Sequence, residues 1–325
     1  MPAVPSGVRG AVITGWGTAL PERVLTNHDL EQMMDTDHAW IVDRTGIHER
    51  HVGGTTAGLS IEAGRRAMEM AGLDPTEIDA LILATTTPDR MVPATSAAVQ
   101  LGLGLRCGAY DINAACSGWA YGLVTAHGLI ALGAEKILLI GTDSLARITD
   151  WTDRNTAILF ADGSGATVVE AVEDRGQLLA WDLDADGSAE EALFCEHDGK
   201  IQMEGREVFR RAVRIMVDSA TTSMQAAGVS ADEIALVVPH QANIRIISAS
   251  CERLGISLDR AAVVLDHTGN TSSASIPLAL AAALDAGRVS TGDLVLFVGF
   301  GAGMTAASAI VRWGGGPDTQ ELHHD

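Results

Sequence analysis

The chain has 325 residues, 47% hydrophobic and 20% charged, which is enough for two ordinary domains or one large duplicated one. Its formal net charge of −20 argues against a nucleic-acid partner and makes any arginine patch conspicuous, since Lys136 and Lys200 are the only lysines. No apolar run is long enough to span a bilayer and no signal-peptide pattern opens the chain, so no membrane association and a cytoplasmic location are expected.

From Ala71 to Thr85 the order is helix end, turn and the apolar strand Leu81-Ile82-Leu83. Cys116 follows in the context Asp111-Ile112-Asn113-Ala114-Ala115-Cys116-Ser117-Gly118, ahead of a helical run containing Trp119, Ala120, Leu123, Val124 and His127. A cysteine at the start of a helix meets unpaired N–H groups and the positive end of the macrodipole, which favour a thiolate. That reading makes Cys116 a candidate nucleophile, although a free cysteine is as often a buried, inert packing residue. The helix ends at Gly133, and Ile137-Leu138-Leu139-Ile140-Gly141 reads as the next strand.

Arg206, Arg210, Arg211 and Arg214 fall on one helix with Glu204 and Glu207. They form either a solvated face of i,i+4 pairs or a dock for an acidic partner on an otherwise repelling surface. Ala227 to His240 repeats the pattern of Ala71 to Thr85 with one residue deleted. It leads into Val238-Pro239-His240-Gln241-Ala242-Asn243, with Arg245 and Arg253 on the helix beyond. Next comes Asp266-His267-Thr268-Gly269-Asn270-Thr271-Ser272, a helix ending at Gly287, and the strand Leu294 to Gly299. An imidazole and an amide in such small, polar segments suit an oxygen that turns negative during reaction. Gly299-Phe300-Gly301-Ala302-Gly303 lacks the last glycine of a dinucleotide fingerprint. The tail from Gly314 is polar and expected to fray.

The strands alternate with helices and read as continuous apolar runs, which indicates an α/β fold with buried sheets. The repeat splits the chain into halves, residues 1–170 carrying Cys116 and residues 171–325 carrying His240 and Asn270. Cys116 stands as far from Gly133 as Asn270 does from Gly287, so the two are expected at equivalent helix starts, with His240 joining them at the seam. Cys107, Cys116, Cys195 and Cys251 show no CxxC spacing or disulfide framework, which fits a reducing compartment and argues against structural zinc.

These segments together resemble the β-ketoacyl-acyl carrier protein synthase III family of thiolase-like condensing enzymes. The likeness also takes in Trp40-Ile41-Val42-Asp43-Arg44-Thr45-Gly46 and Phe160-Ala161-Asp162-Gly163, and spans essentially the whole chain. It implies a five-layer αβαβα thiolase-like fold of two duplicated halves and a homodimer. It implies that Cys116 takes an acyl group from acyl-CoA, and that His240 and Asn270 stabilise the enolate formed when malonyl-acyl carrier protein (malonyl-ACP) loses carbon dioxide. Phe300 and Ala302 then support the site, Ala302 standing where the family usually has glycine. Trp40 and Arg154 sandwich the CoA adenine, and Arg44, Gly205, Phe209, Ala242, Asn243 and Arg245 line the path of its arm. Arg210, Arg245 and Arg253 take the places of carrier-protein docking residues, with Glu252 where another base is common. Val92 stands where a family member's residue reaches into its partner's acyl pocket; being smaller than phenylalanine, it implies a branched or longer acyl group than acetyl. No cofactor is implied, since acyl-CoA and malonyl-ACP are substrates. The alternative is a cysteine acyltransferase that transfers without condensing.

Overall fold

Leu81-Ile82-Leu83 and Leu138-Leu139-Ile140 lie in the strands Ala80–Ala84 and Lys136–Ser144, which pair in parallel with all six side chains fully buried. Such strands must be covered on both faces. The computed structural model describes residues 3–5, 7–173 and 175–314; the expected frayed tail from residue 315 lies outside the described residues.

The first sheet has the order Gly10–Ala19, Asp162–Val172, Lys136–Ser144, Ala80–Ala84, Gly108–Ile112. The second runs Leu178–Asp184, Thr305–Arg312, Leu294–Gly301, Ile234–Pro239. In both, two antiparallel pairings are followed by a parallel one. The orders diverge only at the fifth strand. Opposite Gly108–Ile112 the second sheet has a single parallel bridge between Val237 and Ala261. Helices Gly118–Ala131 and Ser275–Asp285 lie between the sheets in a shared apolar core. Thr56–Ala71 and Thr95–Leu103 cover the outer face of the first sheet, and Gly205–Ala227 with Ile244–Leu254 covers that of the second. The result is five layers, α/β/α/β/α.

Close approach at the centre depends on glycine. A Cβ on Gly122 would stand 2.4 Å from Leu139 Cδ1, and one on Gly141 2.3 Å from the Ser273 carbonyl oxygen. Trp119, fully buried, packs edge-on against Phe297 of the other sheet at 5.2 Å. Among the described residues no helix is long and apolar enough to cross a membrane.

The two middle helices do not match at Cys116 and Asn270. Each follows a short 3₁₀ turn whose first residue has positive φ, Ala115 at 48° and Ser272 at 53°. Cys116 therefore corresponds to Ser273, and Asn270 precedes its turn. The glycines after the helices, Gly133 and Gly287, both have positive φ. The second helix has 11 residues against 14, and this shortening hides the offset in the sequence spacing.

Candidate active site

Cys116 is the middle residue of the Ala115–Ser117 turn that leads into the Gly118–Ala131 helix. The turn is wedged against the end of the Leu294–Gly301 strand. A Cβ on Gly301 would lie 2.5 Å from the Cys116 backbone nitrogen, so only glycine permits this approach. Thr305, the cross-strand neighbour of Gly301, tethers the turn by donating its hydroxyl to the Ala114 carbonyl at 2.9 Å. Burial pushes the Cys116 thiol up to about 12; a hydrogen bond with Ser272 opposes this and the Asp143 carboxylate adds to it. The thiolate expected from the helix start is therefore not the resting state. The end of a helix carries about half an elementary charge, and apolar burial outweighs it here.

His240 follows the Ile234–Pro239 strand, and its N–H donates to the Val298 carbonyl at 2.8 Å. Its ring is buried, meets Phe300 edge-on at 5.4 Å, and shares a 2.6 Å hydrogen bond between Nδ1 and the Ser275 hydroxyl. Burial pushes its pKa down to about 3, so the imidazole is neutral at pH 7. In the tautomer in which Nδ1 accepts from Ser275, Nε2–H is left as a donor. Asn270 is bridged to Phe160, its N–H donating to the Leu159 carbonyl and its carbonyl accepting from Ala161 N–H, both at 2.9 Å. Its Oδ1 accepts from Ser272 N–H at 3.0 Å, which leaves Nδ2 as the donor for a ligand.

Cys116, His240, Asn270 and Phe300 meet on one narrow cavity of about 90 Å³, together with Gly205, Phe209, Ala242 and Asn243. A second, larger cavity of about 390 Å³ opens on the other side of Cys116. Leu145, Ile148, Phe160, Leu193, Phe194, Cys195, Ile201 and Ala302 are among its lining residues. Sequence reasoning missed this apolar wall. Much of it comes from the hairpin of Leu193–Phe194 and Gln202–Met203, two-residue strands too short to show a periodic signal. It also missed Ser272 and Ser275, although a run of hydroxyl residues beside Asn270 was a usable signal.

Farther out, Trp40 carries a guanidinium over its ring from Arg44 at 5.1 Å and another from Arg154 at 5.0 Å. Asn243 caps the Ile244–Leu254 helix by accepting from Arg245 N–H at 2.8 Å, and its amide donates to the Arg44 carbonyl at 2.9 Å. Arg245 and Arg253 are exposed on that helix. Arg210 is exposed but paired with Glu207 at 2.7 Å, and Arg211 reaches both Glu207 and Asp186, so part of the arginine cluster is neutralised. Val92 is 83% exposed and lines neither cavity of its own chain. Among the described residues no group of three or more His, Cys, Asp or Glu is placed to hold a metal ion.

Residues 110–187 match the family model of 3-oxoacyl-(acyl-carrier-protein) synthase III, and residues 224–313 match the model of its C-terminal part. The chain is 48% identical over 326 residues to a β-ketoacyl-(acyl-carrier-protein) synthase III of Roseiflexus castenholzii, covering 94% of this chain and 99% of that one. The chain belongs to the synthase III family. The solved 3-oxoacyl-(acyl-carrier-protein) synthase III of Aquifex aeolicus superposes with a TM-score of 0.92 at 44% identity, covering 94% of this chain and all of that one. The priming β-ketosynthase of a polyketide biosynthetic pathway superposes at 0.89 with 33% identity, covering 97% and 99%. The fold is that of the thiolase-like condensing enzymes. In this synthase III the left-handed residues after the Leu294–Gly301 strand are Gly303 and Met304, so Ala302 has backbone geometry open to any residue.

Proposed function

We propose that the chain condenses an acyl-CoA starter with malonyl-ACP through an acyl-enzyme intermediate on Cys116, releasing carbon dioxide and a 3-oxoacyl-ACP. The observation that carries this reading is the meeting of Cys116, His240, Asn270 and Phe300 on one cavity. The Cys116 sulfur attacks the acyl-CoA thioester, an S-acyl bond forms, and CoA leaves as its thiol with the cysteine proton. Covalent capture divides one difficult step into two easier ones. Malonyl-ACP then places its thioester oxygen between His240 Nε2–H and Asn270 Nδ2. Carbon dioxide departs, the electron pair is held as an enolate against these donors, and the enolate carbon attacks the acyl carbonyl to expel the Cys116 sulfur as a thiolate, which takes a proton from solvent to return to the thiol. Cys116 N–H and an N–H of the Gly301–Gly303 segment hold the oxyanion of each tetrahedral intermediate. Simple acyl transfer would need the thiol but not the buried His240–Asn270 pair.

The acyl chain lies in the larger cavity, while the pantetheine arm passes the smaller one between Phe209, Gly205, Ala242 and Asn243. The CoA adenine stacks on Trp40 by displacing one of the guanidiniums over it, with Arg154 as its second face; Arg44 and Arg245 flank the mouth. Arg210, Arg245 and Arg253 form the dock for the acidic carrier protein. The working unit is a homodimer in which Val92 reaches the partner's acyl pocket. The halves of each chain are residues 1–170 and 171–325. The reaction uses its two substrates and no added cofactor, and the free cysteines suit the cytoplasm. Intact-protein mass spectrometry after incubation with mixed acyl-CoAs tests the reading. One acyl adduct is expected, absent from Cys116→Ser; an adduct that persists in the variant, or maps to Cys107, Cys195 or Cys251, overturns it.

A further inference from the structure

Asp143 is fully buried near the end of the Lys136–Ser144 strand, and the steps above make no use of it. A buried carboxylate is costly unless its oxygens are saturated. Here they are, by hydroxyls and backbone N–H groups with no cation among them. Oδ1 accepts from Thr85 Oγ1 at 3.1 Å, Thr86 N and Oγ1 at 2.7 and 2.9 Å, and Thr87 N and Oγ1 at 3.1 and 2.8 Å. Oδ2 accepts from Ser273 N at 3.0 Å and Ser273 Oγ at 2.7 Å. One oxygen is thus held within the first half, and the other reaches into the second.

The duplication gives this arrangement meaning. Ala84 pairs with Gly141 and Pro239 with Val298, so Thr85 corresponds to His240 and Asp143 to Phe300. The cluster of Thr85, Asp143 and Ser273 is the internal mirror of His240, Phe300 and Cys116. Its carboxylate holds the very turn that follows Asn270. In that turn Ser272 N–H fixes the Asn270 amide, and Ser275, directly after it, bonds the His240 ring.

We propose that Asp143 is a positioning residue for the condensation step, acting through Ser273 to set the Asn270–Ser275 segment against Cys116 and His240. This rests on the condensing reaction argued above. Asp143→Asn keeps the volume but turns one acceptor oxygen into a donor that faces other donors. A reacting group misplaced by about 1 Å loses on the order of a hundredfold in rate. The experiment measures carbon dioxide release from malonyl-ACP in the full chain, with kcat and KM resolved, for wild type, Asp143→Asn, Ser273→Ala and the double variant. The expected result is a tenfold or greater loss of kcat in each single variant, KM for malonyl-ACP within about threefold of wild type, and a double variant no worse than the poorer single one, as one shared linkage requires. Thermal melts identify a variant that fails to fold; if Asp143→Asn does, Ser273→Ala alone decides. Wild-type kcat in a folded single variant, or losses that multiply in the double, overturns the positioning role and leaves the condensing function standing. A wild-type chain that releases no carbon dioxide overturns both.

Discussion

Burial governs the chemistry of single residues here. Cys116 rests as a thiol because protein closes over it, and His240 rests neutral for the same reason. Below a thiol's pKa its thiolate fraction grows about tenfold per pH unit. Alkylation of Cys116 by iodoacetamide, followed by mass spectrometry, is therefore expected to climb steadily from pH 7 to pH 10. An ordinary cysteine levels off above its pKa of about 8.5. A plateau below pH 9 would mean that the helix start and the Ser272 hydrogen bond outweigh burial. The convergence of Cys116, His240 and Asn270 was legible in the sequence because a thiol, an imidazole and an amide stand there in small, polar segments, whereas Phe300 came only from the family resemblance; all four line one cavity. Ionisation states were not legible, since they depend on how much protein closes over each group.

Secondary elements set the geometry by where they stop. The Leu294–Gly301 strand ends against the Cys116 turn, with no room for a side chain at Gly301. Gly301→Ala is expected to shift that turn, costing about 1–3 kcal/mol as overpacking does and at least tenfold in kcat. A thermal melt and steady-state kinetics check both, and an unchanged kcat would show that the turn yields without consequence. On the Gly205–Ala227 and Ile244–Leu254 helices, Arg210 already shares Glu207, which leaves Arg253 and Arg245 the freer cations. Charge reversal of Arg210 and Arg253 to Glu is expected to raise KM for malonyl-ACP at least tenfold while KM for acyl-CoA stays within about twofold, with salt weakening carrier-protein binding further. Equal effects on both substrates would remove these arginines from the dock. Strands and helices were readable from apolar runs and glycine stops. The offset between helix starts was not, because a shorter helix and a longer approach cancel in residue count.

The whole molecule is a duplication whose halves have diverged at the seam. One half places a polar cluster around Asp143 at this position, while the other places His240 and Phe300 beside Cys116. The pairwise sheet orders were foreshadowed by the repeat of Ala71–Thr85 in Ala227–His240. The reduction of the fifth strand to one bridge was not, because Ala261-Ala262-Val263-Val264-Leu265 is an apolar run such as a strand would also show. Met91 and Val92 stand 80% and 83% exposed on the single chain, as the proposed dimer, in which Val92 reaches the partner's acyl pocket, requires. Each buried CH₂ adds about 0.8 kcal/mol until a pocket fills. Chains longer or more branched than acetyl are thus expected to be preferred, and Val92→Phe to shift kcat/KM back toward acetyl-CoA. A parent enzyme already selective for acetyl-CoA would mean that other side chains close the pocket.

In the proposed reaction, acyl capture and malonyl decarboxylation use different parts of one site. The direct measurement follows both half-reactions in His240→Ala and Asn270→Ala: acyl adduct on Cys116 by intact mass, and carbon dioxide from malonyl-ACP. Removing one such donor costs roughly a hundredfold or more. The expected result is near-normal acylation with decarboxylation reduced by that factor in each variant. Decarboxylation at the wild-type rate in both variants would mean that the His240–Asn270 pair does not hold the enolate.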